Sequence, residues 1–486
     1  MLNIARTKIV ATIGPACGTP EKMAELIRLG VDVFRLNMAH GSRQQHQEMV
    51  DAINQARSMT GIDVGILVDL AGPKIRLGDL YGDALELRVG DEVTFVKTER
   101  PESSHQLTCT YKPLVDELSV GDSIMLADGL LRLSVIDKSN DQARCVVVDG
   151  GILRGRQGVN VPGTHLSAPA MDDDDINNAI WGTQQGVQFI SLSFVRRAEE
   201  IHRLREIIQK SAGDQPAANL PRVVAKIEKR EALDNLEGII SAADGVMVAR
   251  GDLGVEIEVE KTPIEQKRIV AMARRLGKPV IVATQMLESM HHNRRPTRAE
   301  VSDVANAILD GADACMLSGE TAIGSHPTDA VTVMNRIMLE TEAAYSDPII
   351  ETAADPADHS HNITRAIVRG AGRIARELDA KAVVVVAESV DAALFKSQRR
   401  DFIPTLALSS NRQMVRSLSL SWGIIPYYAE QSEIADLDSI KAFVASRAIS
   451  HWELSPQDRV LLVVDSPQFF GHCDWLTVLT VGETQQ

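Results

Sequence analysis

The residues of this chain that could do chemistry are charged and polar side chains that follow short apolar runs. Lys226 and Glu228 end one run, and Arg250, Gly251 and Asp252 end the next. Carboxylates at the ends of two neighbouring strands would reach one hard cation, because Mg2+ takes one or two carboxylates and completes its shell with water and substrate oxygens. The alternative is a set of surface ion pairs at strand ends. We predict a metal-assisted reaction of an anionic substrate.

Other runs end in the same way. The further polar residues at such ends are Arg35, Asn37, His40, Asp69, Lys74, Arg76, Thr284, Glu288, Ser318 and Glu320. The positive charges of Arg35, Arg76 and Lys226 would neutralise a multiply charged phosphoryl group. The guanidinium group of an arginine can donate two parallel hydrogen bonds to two phosphate oxygens. Gly251 lets the backbone approach a ligand, and its N–H with that of Asp252 would suit a substrate carboxylate. Phosphoryl transfer needs mainly positioning and charge stabilisation, so these cations and metal-holding carboxylates would suffice for it.

The elements that must position these residues are β-branched runs that alternate with helical patterns. Eight such runs predict the strands of a (β/α)8 barrel, whose catalytic groups lie at the carboxyl ends of the strands. They are Lys8–Ile13, Val31–Leu36, Val64–Leu70, Phe189–Phe194, Arg222–Ile227, Gly245–Ala249, Pro279–Ala283 and Ala314–Leu317. Thr297 and Glu300 predict a capping box for one helix, with an apolar stripe from Val301 to Leu309.

The alternation of strand-like and helix-like segments is interrupted once, and its pattern changes again near the C-terminal end. Short alternating strands without a convincing helix fill residues 72–170, which predicts a small all-β insertion. The barrel therefore takes residues 1–71 and 171–345, and a C-terminal α/β unit takes residues 346–486. The acidic run Asp172–Asp175 is predicted to be a solvated helix N-terminus, where carboxylates suit the positive end of the dipole.

The composition argues against several classes of function. The formal charge is 51 − 66 = −15, and an acidic surface repels nucleic acid and anionic lipid, so neither is an expected partner. The five cysteines have no metal-ligand spacing, which favours free thiols in a reducing compartment. No signal peptide and no apolar stretch of about 18 residues is found. A soluble, cytoplasmic protein is expected.

Four long segments resemble the signature stretches of the pyruvate kinase family. They are AKIEKREAL, MVARGDLGVE, GKPVIVATQMLESM and RPTRAEVSDVANAILDGADACMLSGETA. The resemblance runs from about Arg6 to Tyr345 and more loosely through the C-terminal unit. It implies transfer of the phosphoryl group of phosphoenolpyruvate to ADP with Mg2+ or Mn2+, giving pyruvate and ATP as the last step of glycolysis. It also implies that the insertion is a small β-barrel lid domain, and that the enzyme is a homotetramer regulated by a phosphorylated allosteric effector.

The resemblance assigns roles residue by residue. It makes Glu228 and Asp252 the metal ligands, and Lys226 the stabiliser of the phosphoryl group and the enolate oxygen. Arg35 matches a phosphoryl contact, the N–H groups of Gly251 and Asp252 match the carboxylate cradle, and Thr284 matches the threonine near the protonated carbon, with the proton donor left open. Ser318 and Glu320 match the family residues that form hydrogen bonds behind this threonine. The nucleotide-side residues are Asn37, His40, Arg76 and Arg156. Arg156 would replace the lysine that the family usually has at the position of Gln157.

Two further departures from the family pattern change what is expected. Many members bind K+ through a set in which Ala39 and Leu70 here replace a Ser and a Thr, and Lys74 replaces a Glu. We expect the Lys74 ammonium to supply the charge, so that K+ is not required. The stretch Ala387–Ala393 lacks the glycine-rich, hydroxyl-rich character of a sugar-bisphosphate loop, and Asp391 would repel phosphate. Weak or absent activation by fructose 1,6-bisphosphate is expected, with Lys396, Arg399 and Arg400 as another candidate phosphate site.

Two alternatives remain at the level of sequence. A metal-dependent lyase or aldolase acting on pyruvate-like substrates would use the same pair of carboxylates. A silent paralogue that binds metabolites would be expected to lose a metal ligand or the key cation, and Lys226, Glu228 and Asp252 are all present.

Overall fold

Eight parallel strands close into a barrel in the computed structural model, which describes residues 5–127, 129–164, 166–344, 362–450, 454–465 and 475–482. The predicted (β/α)8 barrel is therefore confirmed. Its first part consists of β1 (Lys8–Thr12), α1 (Pro20–Arg28), β2 (Val31–Asn37), α2 (Arg43–Thr60) and β3 (Gly65–Asp69). The barrel closes between the first and last strands, where Lys8 pairs with Ala314.

The segment between β3 and the rest of the barrel is mostly antiparallel β-structure, with one parallel pair of strands. It contains β4 (Ala84–Leu87), β5 (Glu92–Val96), β6 (Gln106–Leu107), α3 (Leu114–Glu117), β7 (Ser123–Leu126), β8 (Leu131–Lys138), β9 (Gln142–Asp149), β10 (Gly151–Arg154) and β11 (Val159–Asn160). β4 and β10 pair as a ribbon, and the other six strands form one sheet in the order β11-β7-β8-β9-β5-β6. Arg76 bridges to Gly158 beside β11, and Leu77 bridges to Cys109 beside β6, so residues 76–77 join the two edges of the sheet and close it, as predicted. The core of the insertion is separate from that of the barrel.

The remaining five barrel strands alternate with helices. The elements are α4 (Asp173–Gln184), β12 (Phe189–Leu192), α5 (Ala198–Ser211), β13 (Arg222–Ile227), α6 (Arg230–Asp234), α7 (Leu236–Ala242), β14 (Gly245–Ala249), α8 (Arg250–Glu256), α9 (Thr262–Arg275), β15 (Val280–Ala283), α10 (Arg298–Asp310), β16 (Ala314–Leu317), α11 (Gly319–Ala322) and α12 (Pro327–Ala344). Successive residues of a strand face opposite sides. Ile9 and Ala11 of β1 therefore pack against the helices, whereas Val10 belongs to the cluster inside the barrel.

The C-terminal unit is a five-stranded sheet with helices. It comprises α13 (Asn362–Glu377), β17 (Ala382–Ala387), α14 (Asp391–Gln398), β18 (Thr405–Ser409), α15 (Arg412–Ser417), β19 (Ile424–Tyr428), α16 (Leu437–Ser450), β20 (Arg459–Asp465) and β21 (Trp475–Thr480). The strand order is β19-β18-β17-β20-β21, and β21 alone is antiparallel to its neighbour. The predicted α/β unit is therefore present.

The loop between α15 and β19 closes the floor of the barrel. Leu420 is 2% exposed and belongs to the hydrophobic cluster inside the barrel. Ser419 lies so close to Gly65, the first residue of β3, that a Cβ added there would be 2.4 Å from the serine Oγ. Arg400 adds an ion pair with Asp313, with 2.8 Å between Nη2 and Oδ1. The C-terminal unit has core clusters of its own, and through Leu420 it also shares the core inside the barrel.

Several local predictions are corrected by the structure. The insertion does contain one helix, Leu114–Glu117, which is a single turn and too short to show a helical period. The capping box of Thr297 and Glu300 is confirmed, but Val301 and Leu309 are each 37% exposed, so the buried stripe of α10 is narrower than predicted.

Two other predictions are settled only in part. Asp172 caps α4 as expected, whereas Asp175 at the end of the acidic run is buried rather than solvated. Cys17, Cys109, Cys145 and Cys315 are free thiols. Cys473 and residues 346–360, at the start of the predicted C-terminal unit, lie outside the described residues. Among the helices that are described, none is long and apolar enough to cross a membrane.

Candidate active site at the barrel mouth

Asp69 at the end of β3 is the centre of a hydrogen-bonded network. Its Oδ2 accepts from the Arg35 Nε at 2.7 Å and lies 2.6 Å from the Arg35 Nη2. Its Oδ1 accepts from Ser191 at 2.6 Å and lies 3.3 Å from the Lys226 Nζ. Burial by itself would raise the pKa of Asp69, but Lys226 and Arg35 outweigh it and hold that pKa below its usual range. Asp69 is therefore an anion that fixes two cations.

Lys226 on β13 is held between two buried carboxylates. Its Nζ is 3.0 Å from Glu228 Oε1 and donates to the Ser193 Oγ at 2.7 Å. Burial acts to lower the pKa of Lys226, but the charges of Asp69 and Glu228 exceed that effect, so the pKa is raised. The ammonium is thus a permanent charge at the barrel mouth, with 11% of the side chain exposed.

Glu228 and Asp252 present oxygen atoms from neighbouring strand ends. Glu228 is 1% exposed, and its Oε2 accepts from the Phe194 N–H at 2.6 Å. Burial raises the pKa of Glu228, and the negative charge of Asp252 adds to the rise while Lys226 opposes it. Two carboxylates that repel one another and carry only oxygen donors are the set that Mg2+ or Mn2+ takes in proteins. The residues therefore fit the predicted metal.

Gly251 and Thr284 connect the loops after β14 and β15. The N–H of Gly251 donates to the Thr284 Oγ1 at 2.8 Å. Thr284 has a φ of 68°, an unusual value for a β-branched residue. Arg250 holds this turn, because its guanidinium donates to the Thr284 carbonyl at 2.7 Å and to Asp303 at 2.6 and 2.7 Å. The N–H of Gly251, which the sequence predicts as part of a carboxylate cradle, thus donates to a threonine hydroxyl in this structure.

Ser318 and Glu320 lie behind that turn. Glu320 is 1% exposed, and its two oxygens accept from the N–H groups of Leu287 at 3.1 Å and Ser318 at 2.7 Å. Burial raises the pKa of Glu320. The carboxylate thus ties the loop after β15 to the loop after β16.

The residues predicted for the nucleotide side lie in two groups. Asn37 accepts from the Ala39 N–H at 3.2 Å, and the His40 N–H donates to the Asn37 carbonyl at 3.4 Å, so these form a turn after β2. Arg76 and Arg156 lie together in the insertion, where the Arg76 Nη1 donates to the Arg156 carbonyl at 3.2 Å. Arg156 is largely exposed and pairs with Asp79 at 3.2 Å. The described contacts do not join Arg156 to the Asp69 network.

Lys74 lies at the entrance from the barrel to the insertion. Its exposed side chain borders a cleft between these two units, which Asp252 also borders. The other residues bordering this cleft include Ile75, Val159, Asn160, Leu166, Pro169, Phe194, Arg196, Lys229 and Glu231. Asn160 of the insertion approaches Glu256 of α8, with 3.4 Å between its amide nitrogen and the Glu256 Oε1.

Sequence reasoning missed three polar residues that complete the site. Ser191 and Ser193 lie in and just after β12 and bind Asp69 and Lys226. Their signal was weak, since FISLSF reads as one apolar strand, although serines at alternate positions place both hydroxyls on one side. Asp303 stands in the middle of α10, so a search of strand ends could not find it.

Comparisons with known proteins agree with this geometry. Residues 4–331 match the family model described as pyruvate kinase, barrel domain, and residues 365–479 match pyruvate kinase, alpha/beta domain. A pyruvate kinase of Sporosarcina psychrophila is 39% identical over 466 residues, covering 95% of this chain and 78% of the relative. One of Geobacillus stearothermophilus is 40% identical over 455 residues, covering 92% and 76%. The crystal structure of a pyruvate kinase from Cryptosporidium parvum superposes with a TM-score of 0.89 at 31% identity, covering 99% of this chain and 96% of that one.

Proposed function

Because the chain belongs to the pyruvate kinase family and is a pyruvate kinase enzyme, we propose that the network around Asp69 carries its phosphoryl transfer from phosphoenolpyruvate to ADP. The observation that carries the proposal is the Lys226 ammonium, fixed 3.0 Å from Glu228 and 3.3 Å from Asp69. The comparisons do not favour the lyase or the silent paralogue.

Two cations would act on the transferred group. Arg35, held by Asp69, contacts the phosphoryl group, and Lys226 stabilises the charge on that group and on the enolate oxygen. Their positions are fixed before the substrate arrives, so little reorganisation is needed as charge moves. The contacts of Arg35 support this assignment, because its Nε and Nη2 both bind the Asp69 Oδ2 and its Nη1 donates to the Thr12 hydroxyl, which fixes the orientation of the guanidinium.

The divalent metal would be held by Glu228 and Asp252. Mg2+, or Mn2+ in its place, supplies charge neutralisation and a template for the substrate oxygens when it is bound. The N–H groups of Gly251 and Asp252 receive the substrate carboxylate, and Gly251 exchanges its bond to the Thr284 hydroxyl for this one. Thr284 then faces the carbon that is protonated, with Ser318 and Glu320 orienting its loop.

The nucleotide would lie between the barrel and the insertion. Asn37 and His40 come from the barrel, and Arg76 and Arg156 come from the insertion. Movement of the insertion would bring the last two to the phosphates and exclude water from the reaction. The exposed position of Arg156, whose ion pair with Asp79 is also exposed, supports a residue that is able to change partners.

We propose that this enzyme does not require K+. Both oxygens of Asp69 already have partners, and the Asn37 Oδ1 accepts from the Ala39 N–H, so the oxygen atoms left near the expected site are satisfied. Lys74 borders the cleft with Asp252 and supplies positive charge there. Neither Ala39 nor Leu70 offers a side-chain oxygen to replace the missing ligands.

Regulation and assembly follow the family expectations with one change. In the C-terminal unit Asp391 begins α14 and accepts from Ser389 at 3.0 Å, which supports weak or absent activation by fructose 1,6-bisphosphate. Of the candidate phosphate residues Lys396, Arg399 and Arg400, the first and last form buried ion pairs with Asp401 and Asp313, which argues against phosphate binding by those two. We propose another phosphorylated effector, a homotetramer, a cytoplasmic location and unit boundaries after residues 71, 170 and 345.

The deciding experiment measures pyruvate formed from phosphoenolpyruvate and ADP. It is run with and without Mg2+, and with K+ or tetramethylammonium as the monovalent cation at equal ionic strength. We expect activity that needs Mg2+ and changes less than about twofold with K+. The matched variant A39S/L70T/K74E restores the oxygen ligands and removes the ammonium, and its activity should rise with K+. A many-fold K+ activation of the unchanged protein would overturn the role of Lys74 but keep the enzyme activity.

A further inference from the structure

Three side chains with metal-ligand chemistry converge beside the loops that follow β15 and β16. Glu288 and His291 lie on one 3-10 turn, Glu288–His291, and Glu320 lies in α11. The His291 Nε2 is 3.7 Å from the Glu288 Oε1 and 4.0 Å from the Glu320 Oε2. One ligand atom from each residue lies within 4.8 Å of the other two.

These separations suit three ligands of one ion. Bonds of about 2.0–2.2 Å from Zn2+ to imidazole nitrogen and carboxylate oxygen place the ligand atoms roughly 3–4 Å apart. The distances from the His291 Nε2 to the two carboxylates, 3.7 and 4.0 Å, also exceed that of a hydrogen bond between nitrogen and oxygen, which is about 2.7–3.2 Å. The three groups therefore surround a position without satisfying one another directly.

His291 has an unused nitrogen at this position. Its Nε2 is buried and has no hydrogen-bond partner among the described residues, while 19% of the whole side chain is exposed. A buried polar atom without a partner is unfavourable. Neutral imidazole nitrogen is the commonest metal ligand of proteins, and an ion at this position would satisfy it.

Glu320 is oriented as metal-binding carboxylates usually are. Its oxygens are fixed by the N–H groups of Leu287 and Ser318, and hydrogen bonds of this kind hold a ligating carboxylate in place. In the part of the chain that the structure describes, the ion pairs of Glu288 and Glu320 are formed with His291 alone. Two negative charges thus face the site without a lysine or arginine to balance them.

Gly319 makes the room for the imidazole ring. A Cβ added at this position would lie 2.0 Å from the His291 Cε1 and 2.2 Å from its Nε2. Any larger residue at position 319 would displace the ring from the two carboxylates. The position of the His291 ring therefore depends on Gly319, in the loop after β16, as well as on the three ligands themselves.

We propose that Glu288, His291 and Glu320 form a second cation site that takes a transition-metal dication such as Zn2+. One imidazole and two carboxylates favour Zn2+, Co2+ or Mn2+ over Mg2+, which prefers oxygen ligands and retains its water. Water completes the shell from the exposed side of Glu288. The ion joins the loops that carry Thr284 and Ser318 and so restrains the turn at Gly251.

The test measures binding of Zn2+ and Co2+ to the full chain by calorimetry and visible absorption, with Mg2+ saturating the Glu228–Asp252 site. The unchanged protein should bind one transition-metal ion per chain. His291→Ala and Glu288→Gln should each weaken binding by at least about 10–100-fold, since loss of even an outer partner has that effect. His292→Ala is the matched control, because His292 is exposed and lies outside the cluster. This variant should bind Zn2+ and Co2+ as tightly as the unchanged protein does.

Folding and location are tested separately. Zn2+ should raise the thermal unfolding temperature of the unchanged protein and of His292→Ala, and should not raise that of His291→Ala. Gly319→Ala keeps all three ligands but displaces the ring, so it should weaken Zn2+ binding as His291→Ala does. Equal Zn2+ affinity in the unchanged protein and His291→Ala would overturn the site. Zn2+ binding that disappears when Mg2+ is added would do the same, since it would report the Glu228–Asp252 pair instead.

Discussion

At the scale of single residues, the ammonium of Lys226 is the feature on which catalysis should depend most. We expect Lys226→Met to reduce kcat/KM by about 10²–10³-fold or more, the size of effect seen when one preorganised charge donor is lost. Steady-state kinetics with saturating Mg2+ would measure it. A variant that keeps activity within tenfold of the unchanged protein would contradict the assignment.

The control for this variant is needed because Lys226 also compensates two buried carboxylates. Removing one partner of a buried ion pair destabilises a protein by about 3–5 kcal/mol. Kinetics should therefore be measured below the unfolding transition of the variant. Lys226→Arg keeps the charge and the folded state but replaces a point charge with a planar fork, so it should retain stability and still lose most activity.

Asp175 makes a separate prediction about pH. Its Oδ1 accepts from the Gly72 N–H at 3.2 Å at the start of the insertion, and burial, with the charge of Asp172, raises its pKa to about 6. A raised folded-state pKa gives stability that is fully present below the unfolded pKa, near 4, and is lost as pH rises through about 6. Asp175→Asn should remove about 1–2 kcal/mol of this pH dependence between pH 4.5 and pH 7.5.

Urea unfolding of the barrel at these two pH values would test the Asp175 prediction. Asp173→Asn is the matched control, because Asp173 belongs to the same first turn of α4 and is exposed. Its pH dependence should equal that of the unchanged protein. If the two variants behave alike, the raised pKa of Asp175 does not contribute to stability.

The residues that sequence could reach are those at strand ends. Lys226, Glu228 and Asp252 follow apolar runs, and the topology of a parallel barrel brings such positions to one face. Ser191 and Asp303 act on residues that are distant in sequence, so no local pattern revealed them. The outward ion pair of Arg156 was equally beyond prediction, because it depends on where the insertion rests.

At the scale of elements, Arg196 fixes the second connection between the insertion and the barrel. Its guanidinium donates to the carbonyls of Leu166 and Ala168, each at 2.8 Å, and to Glu200. Bonds from charged donors contribute about 1.5–3 kcal/mol each. Arg196→Ala should therefore increase local opening of residues 166–170 by at least about tenfold, measured as amide hydrogen exchange.

A matched variant separates this effect from general loosening of helix α5. Arg203 is exposed on the same helix, and Arg203→Ala should leave exchange of residues 166–170 unchanged. Faster exchange in both variants would show that the helix, rather than the clamp on the two carbonyls, controls the connection.

The elements themselves were predicted well where the hydrophobic period was long. All eight barrel strands were predicted to within two residues at each end, because their runs are β-branched and bounded by polar residues. The helix Leu114–Glu117 was missed since four residues do not complete a period. Closure of the insertion depends on single bridges at Arg76 and Leu77, which alternation in the sequence does not reveal and which only the family resemblance implied.

At the scale of the whole molecule, Leu420 joins the C-terminal unit to the barrel floor. Its side chain is 2% exposed among residues from the barrel interior. Leu420→Ala should lower the free energy of unfolding by about 2–5 kcal/mol, because a cavity would remain inside the barrel. Differential scanning calorimetry should show the barrel transition shifted to lower temperature. A shift confined to the C-terminal unit would contradict the shared core.

The matched control for Leu420 is a leucine that lies in the C-terminal sheet and away from the floor. Leu408 of β18 is fully buried in the core of that unit. Leu408→Ala should lower the unfolding temperature of the C-terminal unit directly. It should lower that of the barrel only as a result of the unfolding of the C-terminal unit. A different order of transitions in the two variants would distinguish a local from a shared effect.

The pairing of β1 with β16 has a consequence for how the chain is made. Lys8 pairs with Ala314, so the first strand emerges from the ribosome long before its partner. At about 5–20 residues per second, the delay is roughly 15–60 s. During that time the first three strands and the insertion are already synthesised, but one edge of β1 has no partner strand. An unpaired strand edge promotes aggregation. Synthesis of this enzyme should therefore depend on chaperones that bind nascent chains.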